Sequence, residues 1–195
     1  MNASRSAALR LAQDRGSSMI EVLITIVILM IGLLGLAGLQ GKSFTSQMEA
    51  YQRSQALIML RDMESRINAN RNNAALYITT ALVPAALGTG AACPVTTGNA
   101  IADNDLCEWH NALLGVAEKN AAASSVGAMI GARGCITQTV APAAGAAGEY
   151  LVAVAWQGLH STAAPAITCG AGLYGADETK RRAIALPVSI GCLTC

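Results

Sequence analysis

Gly16-Ser17-Ser18-Met19-Ile20-Glu21 opens a stretch that continues VLITIVILMIGLLGLAGLQGK to Lys42. From Val22 to Gly41 twenty residues carry no charge. At about 1.5 Å per residue, a helix of that length spans about 30 Å, the thickness of a bilayer's hydrocarbon core. The flank before it holds Arg5, Arg10 and Arg15 against Asp14. That basic excess keeps residues 1–16 cytoplasmic and sends the bulk of the chain to the other side. A secretory signal peptide would have an apolar region of only about 7–15 residues and a small-x-small cleavage site. Here the run is longer, and Ala37-Gly38 is a weak site. A plain anchor leaves Glu21 unexplained, since a carboxylate in lipid costs about 3 kcal/mol unless it is partnered or stays in the interface.

The rest of the chain is paler. Of 195 residues, 53% are apolar and 13% charged, against a usual charged share of about 25%. Alanine supplies 38 residues, while Phe, Trp and Tyr together supply seven. The hydrophobicity is therefore one greasy segment followed by an Ala/Gly-rich remainder. A disordered tail would be more charged, and a polytopic transporter would need several apolar runs. Thirteen basic against twelve acidic residues lack the basic excess of a nucleic-acid binder.

The Gly16-Ser17 junction, followed by Met19-Ile20-Glu21 and a Val/Leu/Ile run, resembles the cleavage and assembly motif of type IV prepilins. The resemblance implies that a membrane aspartyl peptidase, the prepilin peptidase, cuts between Gly16 and Ser17. It also implies N-methylation of the new Ser17 amine and an assembly role for Glu21. Ser17 departs from the Phe or other large apolar residue usual in the family, and the sixteen-residue leader is longer than the shortest family leaders. Simple electrostatics agrees. A freed amine, with an ordinary pKa near ~8, is a cation beside the membrane. Glu21 of a packed neighbour could neutralise it, turning two costly charges into one pair. Loss of the leader removes three basic and one acidic residue, leaving 10 against 11 and a net charge of −1.

The stretch Ile20–Gln40, and above all its ending GLLGLAGLQ, resembles the PilV type of minor pilin, the type IV pilus modification proteins. Gly32, Gly35, Gly38 and Gly41 recur every three residues; small residues let helices approach closely in lipid and weaken the helix locally. Helical spacing continues through Phe44, Met48, Tyr51, Ile58, Leu60, Met63 and Ile67. Glu49–Arg53 and Asp62–Arg66 have i,i+4 spacing for acid–base pairs, and the run Asn68–Asn73 should end the helix. A helix over 17–70 would be about 80 Å long, and its second half needs a domain against which to bury its apolar stripe.

Beyond residue 73, Asp105–Leu114 reads as a short amphipathic helix capped by Asp103 or Asp105, with Trp109 as a packing residue. Its D-L-x-x-W-x-x-x-L pattern also resembles PilV-like proteins. Gly134–Val140, Glu149–Gln157 and Arg182–Ile190 read as strands, the last demoted by Pro187 to an edge or a bulge. Residues 158–180 form a long turn-rich segment. Lys180-Arg181-Arg182 reads as a solvated strand edge. The expected class is α+β: a long N-terminal helix, its first half transmembrane, packed on a C-terminal antiparallel sheet, as in the type IV pilin fold. The expected parts are a leader (1–16), a membrane and assembly helix (17–41), a periplasmic helix half (42–73) and a head domain (74–195).

Cys93, Cys107, Cys135, Cys169, Cys192 and Cys195 all follow the greasy segment, which suggests disulfides in an oxidising compartment. Six cysteines allow fifteen pairings. Cys93–Cys107 would close a short loop, and Cys135–Cys169 would tie the first strand to the long loop. Cys192 and Cys195 remain, spaced C-x-x-C, but without the strand-then-helix setting of a redox motif. His110 and His160 have no second ligand at metal spacing, and no nucleophile or phosphate-loop motif stands out. No enzymatic activity, metal or cofactor is expected.

These readings converge on a minor type IV pilin, an inner-membrane precursor with a periplasmic head that enters the pilus after processing. The resemblance implies the prepilin peptidase, other minor pilins, the major pilin and a tip adhesin as partners, with roles in assembly priming, twitching motility and adhesion. Two alternatives stay open: a type II secretion pseudopilin, and a membrane-anchored periplasmic binding or redox protein.

Overall fold

The computed structural model describes residues 18–79, 87–90, 93, 97–127 and 129–191; Gly16, Ser17, Cys192 and Cys195 lie outside them. Helix α1 runs Met19–Ala69, a 3-10 turn follows at Arg71–Tyr77, and α2 covers Ala100–Leu114. Strands β1 (Arg133–Val140), β2 (Gly148–Gln157) and β3 (Arg181–Ile190) form an antiparallel meander in that order. The chain divides into two compact units, one ending at Phe44 and the other starting at Thr45.

Within the second unit the meander follows from alternation along the strands. Tyr150, Val152, Val154 and Trp156 of β2 join Ile136 of β1 and Val188 and Ile190 of β3 in one core with the helices. The opposite face is built from small residues: Cys135, Ala153, Ala155, Ala183 and Ala185. That face is covered as well, by Ile167, Cys169 and Tyr174 of the segment between β2 and β3. The centre of β2 is thus buried on both sides. Pro187 pairs in register with Leu151 on the outer strand β3, where a residue without an N–H is tolerated. The register shift lies instead between Gln138 and Val140 of β1.

The second half of α1 buries Gln52, Ala56, Leu60, Met63 and Ile67, steps of four, four, three and four that keep one helical stripe inward. The stripe expected from sequence divides here. Leu60, Met63 and Ile67 are core, but Phe44 (66% exposed), Met48 (50%), Tyr51 (49%) and Ile58 (56%) face outward. The Asn-rich run ends the helix through local side-chain bonds that compete with helical ones. Asn68 Nδ2 donates to the Glu64 carbonyl at 2.9 Å, and Asn73 Nδ2 to Asn70 Oδ1 at 2.8 Å.

Helix α2 starts earlier than the sequence suggests, and neither Asp103 nor Asp105 caps it. Asn99 does so, its side chain accepting from the Ile101 and Ala102 amides at 3.1 and 3.0 Å. Asp103 accepts instead from the Thr97 amide, and this bond holds its carboxyl below the usual range. Asp105 is drawn into a cluster with α1. Arg66 contacts Asp62 (3.0 Å), Asp105 (3.0 Å) and Glu108 (2.7 Å). Burial opposes the Arg66 charge, but the bonds to Glu108, Asp62 and Asp105 outweigh it and raise its pKa. The Tyr77 hydroxyl donates to Asp105 at 2.5 Å; burial and that carboxylate push its pKa up to about 12.

Trp109 packs as expected and donates its indole N–H to the Met59 carbonyl at 3.1 Å. It lies so close to β1 that Gly134 has no room for a side chain: an added Cβ would stand 2.4 Å from the Trp109 ring and 2.6 Å from Leu113. His110 is fully buried and accepts the Gly88 amide at Nδ1, 3.2 Å away. Burial, then the positive charge of Arg133, lowers its pKa.

Two measurements follow. Gly134→Ala must displace backbone or Trp109, so a loss of about 1–3 kcal/mol is expected in urea unfolding; wild-type stability would contradict the packing. For His110, the folded state favours the neutral ring, so the unfolded chain binds the proton more readily. Its contribution is full above about 6.5, the unperturbed value, and declines as pH falls below it. Glu49, Asp103 and Glu108, held below their ordinary range, add losses that begin only near 4.5 and 3.8. Urea midpoints between pH 7 and 5 should fall for the wild type and less for His110→Gln.

Candidate functional site

The first unit is a helix presented to its surroundings. Ser18 starts α1: its carbonyl accepts from the Glu21 and Val22 amides at 2.8 and 3.3 Å, and its hydroxyl from the Ile20 amide at 3.4 Å. Glu21 falls in the first turn, where the helix dipole favours a carboxylate. Beyond it lies a window of mean hydropathy 2.8, none of it buried within the molecule. By length and composition the helix is able to cross a membrane. Side chains added at Gly32, Gly35, Gly38 or Gly41 would meet nothing within 4 Å. Among the described residues no packing contact therefore requires these glycines to be small, although each costs about 1 kcal/mol of helix stability relative to Ala.

The second unit displays a tethered loop. Cys135 of β1 is bonded to Cys169, with Cα atoms 5.7 Å apart, and Cys93 to Cys107 of α2, with Cα atoms 5.2 Å apart. The first bond fixes the segment between β2 and β3 on the alanine face of the sheet. Arg181 fixes it again. Rather than lining a solvated edge, this side chain is 5% exposed and donates to the carbonyls of Pro165, Ile167 and Cys169 while pairing with Glu178. Tyr174 donates to the Gly131 carbonyl at 2.6 Å, and burial pushes its hydroxyl pKa up to about 12.

A third tether comes from α1. Glu49 does not turn to Arg53, as its i,i+4 spacing suggests. Its Oε1 accepts from the Leu159 and His160 amides at 3.1 and 3.2 Å and contacts Arg182 Nη2 at 3.4 Å. Burial works against its charge, but these bonds and Arg182 prevail and lower its pKa. Arg182 also donates to the His160 carbonyl at 2.6 Å and to Thr162 at 2.7 Å.

Of the site residues expected from sequence, Glu21 heads α1 and four cysteines form the two bridges. Gly16, Ser17, Cys192 and Cys195 fall outside the described residues. Sequence reasoning missed Glu49, Arg181 and Arg182 as loop anchors. A signal existed for Arg181: it shares strand parity with Ala183 and Ala185, so it belongs to the covered face.

The model of the prokaryotic N-terminal methylation motif matches residues 11–37, which contain Gly16, Ser17 and Glu21. The model described as Tt1218-like, type IV pilin Tt1218, matches residues 38–107. Together the two matches support a type IV pilin. Its exposed apolar helix, three-stranded antiparallel sheet and two disulfides agree with the pilin fold. The methylation motif marks prepilin-type processing, and a pilin with that motif implies a processing peptidase and pilus components as partners. No curated protein and no solved structure matches the chain.

The pilin's loop tethers can be separated by mutation. Chain entropy assigns about 4 kcal/mol to a bridge with the 34-residue separation of Cys135–Cys169, and about 3 kcal/mol to the 14-residue Cys93–Cys107. In urea unfolding, Cys135→Ser with Cys169→Ser should cost more than Cys93→Ser with Cys107→Ser. The reverse order would show that native contacts, not loop closure, set the contribution.

Proposed function

We propose that this pilin is a PilV-like minor subunit, a structural component and not an enzyme. The prepilin peptidase removes residues 1–16, and the Ser17 amine is methylated. Before assembly the helix anchors the chain in the inner membrane, with the head in the periplasm. On incorporation the span leaves lipid for a packing of neighbouring helices, and Glu21 neutralises the Ser17 amine of a neighbour. The observation that supports this reading most directly is the glycine series Gly32, Gly35, Gly38 and Gly41, which no packing contact among the described residues requires to be small and which suits close helix–helix approach. Other minor pilins, the major pilin and a tip adhesin are the proposed partners, and assembly priming, twitching motility and adhesion the proposed roles.

Intact-mass analysis of the membrane-extracted and pilus-borne chain should give a polypeptide beginning at Ser17 and one methyl group heavier. A chain that retains Met1 and never appears shortened would rule out the processing. Glu21→Ala should insert and be cleaved normally, yet be absent from sheared pili. Wild-type levels of the variant in sheared pili would remove Glu21 from the assembly step.

A further inference from the structure

The two edges of the sheet differ. On β1 the outward backbone groups are taken. Gly134 and Leu87 exchange hydrogen bonds of 2.8 and 2.9 Å, and the Ile136 carbonyl accepts the Thr79 amide at 3.0 Å. On β3 they are open. The Gly158 amide donates to the Lys180 carbonyl at 2.8 Å, one step beyond the Gln157–Arg181 pair. Backbone bonding alternates along an antiparallel strand. The even-numbered residues of β3 therefore bond β2, while Ala183, Ala185, Pro187 and Ser189 direct their backbone polar groups away from it. Pro187 falls in this outward set, where the missing N–H costs the sheet nothing. Among the described residues no backbone bond fills that edge.

The start of the open edge borders a cleft of about 410 Å³. Ala183 and Ile184 line it together with Ser46, Glu49 and Arg53 of α1. Glu49 is committed to Arg182 and to the amides of residues 159 and 160. Arg53 is exposed and has no carboxylate within ion-pair distance among the described residues. Lys180, exposed just before β3, adds a second positive charge at this end of the strand. An open strand edge is satisfied by an extended backbone, and an arginine selects a carboxylate. A second copy offering its own β3 would bring a second basic edge to the same seam, so an acidic segment is the better match.

We propose that β3 accepts an extended, acidic segment of a partner protein as a fourth strand. The segment's backbone pairs with Ala183 and Ala185, each of which offers a donor and an acceptor. Pro187, with no N–H, ends the full pairing. A carboxylate on the side of the segment nearer α1 enters the cleft and pairs with Arg53, beside Ile184.

The test uses the full chain in dodecyl maltoside and the labelled peptide acetyl-Val-Thr-Val-Asp-Val-Thr-amide, followed by fluorescence anisotropy. The peptide should saturate, and more weakly as salt is raised. The same peptide N-methylated at every amide should bind at least about tenfold more weakly, since it can no longer donate to the edge. Asn in place of Asp, or Arg53→Ala in the protein, should weaken binding by about the same factor. Ala185→Pro removes a donor that the fold does not use, so it should keep the thermal midpoint and lose the peptide. No saturation, or equal binding of the N-methylated peptide, would overturn the added strand whatever the variants do. Equal binding of the Asn peptide, or unchanged binding to Arg53→Ala, would overturn the pairing in the cleft. A dimer in sedimentation that Ala185→Pro abolishes, with no peptide bound, would give the edge to a second copy and overturn the acidic partner.

Discussion

The structure depends on the surface of one helix that has to suit two solvents. Over its first half α1 shows apolar side chains on every side, and none of the described residues covers them. Twenty residues of that kind are stable only in lipid or against other helices. Over its second half the same helix is amphipathic and serves as a wall of the head's core. The division between the two compact units, at Phe44 and Thr45, falls where the pattern changes from uniformly apolar to striped. Glu21 at one end and Arg66 at the other are the charges the helix carries nearest its ends.

A head with few large side chains meets its own difficulty by layering. One face of the sheet spends nearly all the bulky residues against α1 and α2. The other face is alanine, and this lets a long irregular segment lie close to the strands. Apolar burial alone would hold such a segment weakly. A disulfide, a buried arginine accepted by backbone carbonyls, and a carboxylate reaching across from α1 fasten it at separate points. Polar anchoring thus replaces the hydrophobic contacts that the composition lacks.

The sequence made much of this legible. All three strands begin within one residue of where alternation and turn residues put them, because alternation in β-branched segments is a local property. The sequence left fifteen cysteine pairings open, and two of them, Cys93–Cys107 and Cys135–Cys169, are present. What escaped was the choice of partners. Glu49 has Arg53 one turn away, yet the backbone amides of residues 159 and 160 offer it two hydrogen bonds in a partly buried place, worth more than an exposed i,i+4 pair. Asp105 looked like a helix cap and became a ligand of Arg66 and Tyr77 once Asn99 had taken the cap. The outward turn of Phe44, Met48, Tyr51 and Ile58 escaped too, since spacing shows that residues share a face but not which way the face points.

The position of the bridges has a mechanical consequence. Every cysteine follows residue 92, so no disulfide can involve α1. Among the described residues, what holds α1 to the head is non-covalent: the core stripe, the Arg66 cluster, the bond from Trp109 to Met59 and the Glu49 tether. Past that point the chain is inextensible in two stretches, separations of 14 and 34 residues closed by bridges. At roughly 3.5 Å per residue, these conceal about 170 Å of contour. Under load those two stretches stay closed, whichever of the non-covalent contacts gives way.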